Sequence, residues 1–129
     1  SRTHVDLVGL DPYPCHYDTR GDAVPCDDSM IAARVEAATA NGISSNSIVP
    51  VFQAFGQARR TDGKSVYYRM PSAGELSSML STWHSLVPDP AFDYFYTFGV
   101  QCSARSCPAP QAIVDTPEIR GVVRSHNER

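Results

Sequence analysis

Three apolar runs punctuate this chain, and each is followed by a loop and then by a helical pattern. The first, VDLVGLDPYP at residues 5–14, ends in an acid and two prolines. Pro12 and Pro14 cannot donate to a sheet ladder, so this strand stops near Asp11. Alternation puts Val5, Leu7, Gly9, Asp11 and Tyr13 on one side, and Asp6, Val8, Leu10 and Pro12 on the other. Both sides are largely apolar before Asp11, which predicts a strand buried on both faces. The second run, SIVPVFQAFG at residues 47–56, is also apolar on both sides, with Gln53 as its polar exception. Pro50 argues against a central place for it. The third, AFDYFYTFGVQ at residues 91–101, is dense in aromatics, as strands prefer, and ends at Gln101.

Helical spacing separates these runs. In residues 27–42, Ile31, Val35 and Ala38 recur on one face, Asp27 or Asp28 can cap the start, and Gly42 supplies the stop. Ser72 and Glu75 form an S-x-x-E capping box ahead of an apolar stripe of Leu76, Met79, Leu80, Trp83 and Leu86. Trp83 and Met79 are read as core. Thr116-Pro117-Glu118 opens a last helix whose buried face is Ile119, Val122 and Val123, with Arg124, His126 and Arg129 toward its C-terminal end. The order β-loop-α, three times over, predicts an α/β fold with parallel strands and crossover helices. Chemistry in such folds sits at the C-terminal ends of the strands.

A length of 129 residues allows one compact domain. The net charge of -3 argues against nucleic acid as a partner, and Arg59-Arg60 is the one adjacent basic pair. No apolar run reaches the ~18 residues of a membrane helix. The four cysteines form two close pairs, Cys15 with Cys26 and Cys102 with Cys107, without CxxC spacing. Two disulfide-closed loops, each contributing roughly 2–3 kcal/mol, place the protein in an oxidising compartment, with free thiols as the alternative. His4, His16, His84 and His126 are scattered, and no HExxH, phosphate loop or GxSxG elbow occurs, so neither a metal nor another cofactor is expected.

Three units do not close a barrel, and a three-stranded parallel sheet leaves two open edges. The first strand also begins four residues into the chain. The expectation is that residues 1–129 are the C-terminal portion of a domain begun elsewhere, with self-assembly as the alternative. VDLVGLDPYP, IVPVFQAFG, MPSAGELSSMLSTW, FDYFYTFGVQ and DTPEIRGVVRSHN together resemble the C-terminal part of a secreted (β/α)8 barrel of the glycoside-hydrolase kind. The resemblance implies that the units are strands six to eight with their helices, completed by an N-terminal part of the same barrel, possibly a separate chain. It also implies a carbohydrate substrate and hydrolysis of O-glycosyl bonds. Many such barrels place an acid or Tyr after strand six and an amide or aromatic after strands seven and eight.

Hydrolysis of this kind uses two carboxylates across the scissile bond. Asp11 is the one well-placed candidate, in a supporting role to a sugar hydroxyl or a catalytic acid, or else a loop-capping residue. Gln53 stands where many retaining barrels carry a nucleophilic Glu, so the main acids are expected in the N-terminal part, as in chitinase-like barrels. Tyr13 stacks on a sugar or packs under the disulfide loop. Gln53 binds ligand or serves the fold, since a buried amide needs partners. Gln101 is a further substrate-binding candidate, whereas Asp6 and Asp93, at strand starts, are read as structural. Arg20-Gly21-Asp22 lies inside the Cys15–Cys26 loop and matches the tripeptide that some adhesion proteins present to integrins. The alternative to an enzyme is a non-catalytic carbohydrate-binding or adhesion protein on the same scaffold.

Overall fold

A computed structural model describes residues 5–56, 68–97, 111–113 and 116–128. In chain order the elements are β1 (Val8–Leu10), α1 (Ser29–Ala40), a 3-10 turn (Ser45–Ser47), β2 (Ile48–Gln53) and β3 (Phe55–Gly56). Then come α2 (Ala73–Leu86), β4 (Tyr94–Tyr96), β5 (Gln111–Ala112) and α3 (Pro117–Asn127). Strands β1, β2 and β4 form a sheet in that spatial order. Both pairings are parallel, with Val8 opposite Ile48 and Val51 opposite Tyr94. β3 and β5 make a separate antiparallel pair. The molecule is therefore an α/β fold of alternating parallel strands and helices, an arrangement that part of a barrel-type sheet also has.

Local chemistry sets the helix ends. The Asp27 carboxylate accepts from the Ser29 amide and hydroxyl at the start of α1. Gly42, at φ 86°, takes the left-handed turn that ends it, where a side chain would be strained. At α2 the capping box forms in full: Ser72 accepts from the Glu75 amide, and Glu75 accepts from the Ser72 amide. Pro117 fills the first position of α3.

One core joins the helices to one face of the sheet. Ile31, Val35 and Ala38 of α1, Leu76, Met79 and Trp83 of α2, and Ile119 of α3 pack with Ile48 and Phe52, and with the partly buried Leu10 and Phe95. Register and alternation put these four sheet residues on the same face. Both crossovers step the same way across the sheet, and equal handedness lays their helices on one side. The opposite face is open in part. Leu7 (38% exposed), Gly9, the half-buried Val51 and Tyr94 (53% exposed) lie on it beside the buried Val49 and Gln53.

Three sequence expectations change here. The first strand is not buried on both faces: Val5 and Leu7 are exposed because no layer of the described residues covers their side. Pro50 does sit in the central strand. It is the last β2 residue paired with β1 and directly precedes the first paired with β4, so its missing N–H falls at the hand-over between ladders. The third strand spans three residues, and residues 98–101 of the expected run lie outside the described residues.

Candidate functional site at the C-terminal edge of the sheet

Parallel strands deliver their following residues to one edge, and here that edge collects aromatic rings. β1 leads into Asp11 and Tyr13, β2 into Phe55, and β4 ends at Tyr96; Tyr68 joins from the segment before α2. Tyr13 is the hub. Its ring meets Phe55 at 5.0 Å and Tyr68 at 5.2 Å edge-on, and lies nearly parallel to Tyr96 at 6.0 Å. Phe55 closes the cluster against Tyr68 at 5.4 Å and Tyr96 at 5.6 Å. Edge-to-face and offset pairs of this kind each contribute about 0.5–1.5 kcal/mol beyond area burial. Tyr94, two residues before Tyr96 on the open face, extends the strip with its ring 6.3 Å from Tyr96.

The Tyr13 hydroxyl donates to Asp11 Oδ2 at 3.2 Å. Burial pushes the phenol above its ordinary value, and the adjacent Asp11 carboxylate pushes it further, so Tyr13 stays a proton donor. Asp11 itself is exposed at the rim.

Gln53 lies beneath this layer with no exposed surface. Its Oε1 accepts from the Cys15 amide at 2.9 Å, and its Nε2 donates to the carbonyls of Cys15 at 2.8 Å and Arg69 at 3.0 Å. The amide thus ties together three chain segments that meet at the strand ends. Arg69 makes the next link. Its guanidinium donates to the Val24 carbonyl from Nε and Nη2, at 3.0 and 2.6 Å, and to both Glu75 oxygens. That fork holds the Glu75 carboxyl down to about 2, chiefly through the Arg69 hydrogen bond. The Cys15–Cys26 disulfide closes the loop that Gln53 and Arg69 grip. It fits an oxidising compartment.

Gln101, Cys102 and Cys107 lie outside the described residues, as does His4. Asp6 is exposed ahead of β1. Asp93, ahead of β4, pairs with His126 Nε2 of α3 at 2.7 Å, and the imidazole sits edge-on to Phe52 and Phe95. His16 bonds the Pro14 carbonyl through Nδ1, and His84 is exposed. Among the described residues no three His, Cys, Asp or Glu side chains converge as a metal site, and no helix is long and apolar enough to cross a membrane. A groove of about 720 Å³ runs between α2 and α3, and its described lining residues all belong to those two helices.

Sequence reasoning singled out Asp11, Tyr13 and Gln53, which lie together at this edge, but not the ring cluster around them. The signal was present: Phe55 shares a strand face with Gln53, and Tyr96 shares one with Tyr94. Tyr68 carried no such signal, because it belongs to no strand or helix pattern in the sequence. Chemically, the edge offers aromatic faces, a protonated phenol and an exposed carboxylate. Neither a protein-family model, nor a curated protein, nor a solved structure matches this chain.

Proposed function

We propose that the chain is the C-terminal part of a (β/α)8 barrel in a secreted carbohydrate-active enzyme, its strands standing sixth to eighth and their ends lining the sugar cleft. The observation that carries this is the aromatic strip of Tyr94, Tyr96 and Tyr13, which runs along the open sheet face to the Asp11 carboxylate. Sugar rings present C–H faces that pack on aromatic rings, and hydroxyls that donate to carboxylates. Parallel sheets occur with both faces covered, yet this one leaves Leu7 and Tyr94 exposed. Further strands from an N-terminal part of the barrel, in the same polypeptide or a separate one, would turn that face into the barrel interior. The Cys15–Cys26 disulfide supports a secreted location.

In this reading Asp11 orients a hydroxyl or a catalytic acid, Tyr13 donates to Asp11, and Gln53 holds the edge in shape. The two carboxylates of glycoside hydrolysis come from the N-terminal part. One observation favours the second reading, a non-catalytic carbohydrate-binding protein: among the described residues, Asp11 is the one carboxylate directly after the C-terminal end of a strand of the parallel sheet.

The test is depletion of the protein from solution by insoluble chitin, cellulose, xylan and starch. Retention by at least one polysaccharide is expected, with Tyr94→Ala weakening it about threefold to tenfold, the worth of one aromatic contact. No retention, or retention indifferent to Tyr94→Ala, sinks the proposal. Release of reducing sugar on addition of the N-terminal part separates the enzyme from the binding protein.

A further inference from the structure

The loop closed by Cys15 and Cys26 is not needed to explain the sheet edge in full, because its outer half projects beyond the contacts of Gln53 and Arg69. That half is a small hairpin. Tyr17 bridges Ala23 in antiparallel fashion, and the Asp18 amide donates to the Asp22 carbonyl at 2.9 Å. The Gly21 amide donates to the Asp18 carbonyl at 3.0 Å, closing a four-residue turn over Asp18, Thr19, Arg20 and Gly21. Gly21 has φ 89°, the left-handed position that completes a three-residue hairpin loop. The Asp18 carboxylate accepts from the amides of both Arg20 and Asp22, at 2.8 and 2.9 Å, and so fixes the backbone on either side of the glycine.

The consequence is a tripeptide, Arg20-Gly21-Asp22, held at the tip of a disulfide-closed hairpin with Arg20 and Asp22 both exposed. Gly21 is explained by the turn and Asp18 by its capping bonds. The turn requires neither a cation at position 20 nor a carboxylate at position 22. We propose that this tip is a recognition site for a receptor of the integrin kind, one that offers a carboxylate pocket to a guanidinium and a bound divalent cation to a carboxylate. Arg20 supplies the forked cation, and Asp22 supplies an oxygen ligand to the receptor's metal. The disulfide and the Asp18 bonds order the tripeptide in advance, so less conformational entropy is lost on binding than for a free peptide. The site is separate from the aromatic strip and does not rest on the carbohydrate reading.

The experiment immobilises the disulfide-intact protein and titrates it with a purified integrin ectodomain that binds Arg-Gly-Asp peptides, in Mn2+. Saturable binding is expected, abolished by EDTA and competed by a linear Arg-Gly-Asp peptide. Asp22→Glu, whose extra methylene displaces the metal-seeking oxygen, and Arg20→Ala should each weaken it about thirtyfold or more, as for interface hot spots. Both positions are exposed, so unchanged thermal melting verifies the fold of each variant. Absence of saturable binding, or binding that survives Asp22→Glu, overturns the proposal. Retention on polysaccharide should be the same for Asp22→Glu and the parent, which keeps the two functions separable.

Discussion

Replacing Gln53 by leucine tests whether one buried amide organises the C-terminal edge. Leucine matches the volume of glutamine closely but has no polar atom. The Cys15 amide loses its acceptor and the Arg69 carbonyl loses its donor, whereas the Cys15 carbonyl keeps the Arg69 amide at 3.2 Å. The buried Cys15 amide left unpaired costs about 1–3 kcal/mol and the bond lost at the part-buried Arg69 carbonyl about 1 kcal/mol, a loss of about 3 kcal/mol. That is a large part of the roughly 5–15 kcal/mol that holds a domain together. Urea unfolding at neutral pH should show the midpoint falling with little change in slope, and heating should show melting about 10–20 °C lower. Gln53→Glu supplies the second arm. The glutamate would face the Cys15 and Arg69 carbonyls in a site closed to water, so its folded-state pKa rises above the unfolded ~4.3. Above that value the unfolded chain binds fewer protons than the folded one, so stability drops by up to about 1.4 kcal/mol for each further pH unit until the folded value is passed. The variant should therefore be more stable at pH 4 than at pH 7, relative to the parent. A loss under about 0.5 kcal/mol in Gln53→Leu, within the range of an ordinary surface change, would refute the clamp.

Glu75 titrates in the opposite sense. Its folded-state carboxyl lies near 2, below the ordinary 4.5, so its contribution is complete above pH 4.5 and is lost as the pH falls toward 2. With 29% of that side chain exposed, the contribution is about 1–2 kcal/mol, and Glu75→Gln should flatten the acid limb of a stability–pH curve by that amount. Changing Cys15 and Cys26 together to serine should cost about 2–3 kcal/mol, read as a lower urea midpoint under non-reducing conditions. His126→Ala removes the bond to Asp93 and the contacts with Phe52 and Phe95 while leaving Ile119 in the core. Hydrogen exchange should then rise across the C-terminal half of α3, with a global cost of about 1–2 kcal/mol; unchanged exchange would show that α2 alone holds the helix.

The helices were legible because their signals are local. Ser72 and Glu75 stand three apart, Gly42 ends a periodic run, and Trp83 shares a stripe with Leu76 and Met79, so spacing alone places them. The links that shape the edge are not local. Gln53 meets Cys15 across 38 residues, and His126 meets Asp93 across 33. An isolated amide in an apolar strand announces that it needs partners without saying which. The first strand shows a different limit. Its two apolar sides are a statement about a covering layer, and exposure of Val5 and Leu7 follows wherever that layer is not among the described residues. Pro50 misled because the rule against proline in a central strand concerns the ladder bond its N–H would make, and Pro50 stands where the paired run with β1 ends and that with β4 begins.

The network around Gln53 gives the loop and the ring cluster a common footing. Gln53 fixes Cys15 and Arg69; Arg69 fixes Val24 and Glu75; Glu75 caps α2; and Cys15 is joined to Cys26. The links from Gln53 to Cys15 and Arg69, and from Arg69 to Val24, join segments 16 to 45 residues apart in sequence, so the chain after β1 cannot move without disturbing the chain before α2. Tyr13, two residues before Cys15, and Tyr68, one before Arg69, are thereby carried to the same place by main-chain bonds rather than by their own rings. The aromatic surface is in this way built on a polar frame. Loss of Gln53 should consequently disperse the rings before it unfolds the helices. Near-ultraviolet circular dichroism of Gln53→Leu, followed below its melting temperature, should show diminished tyrosine signal at unchanged far-ultraviolet intensity; parallel loss of both would mean that the rings hold the frame.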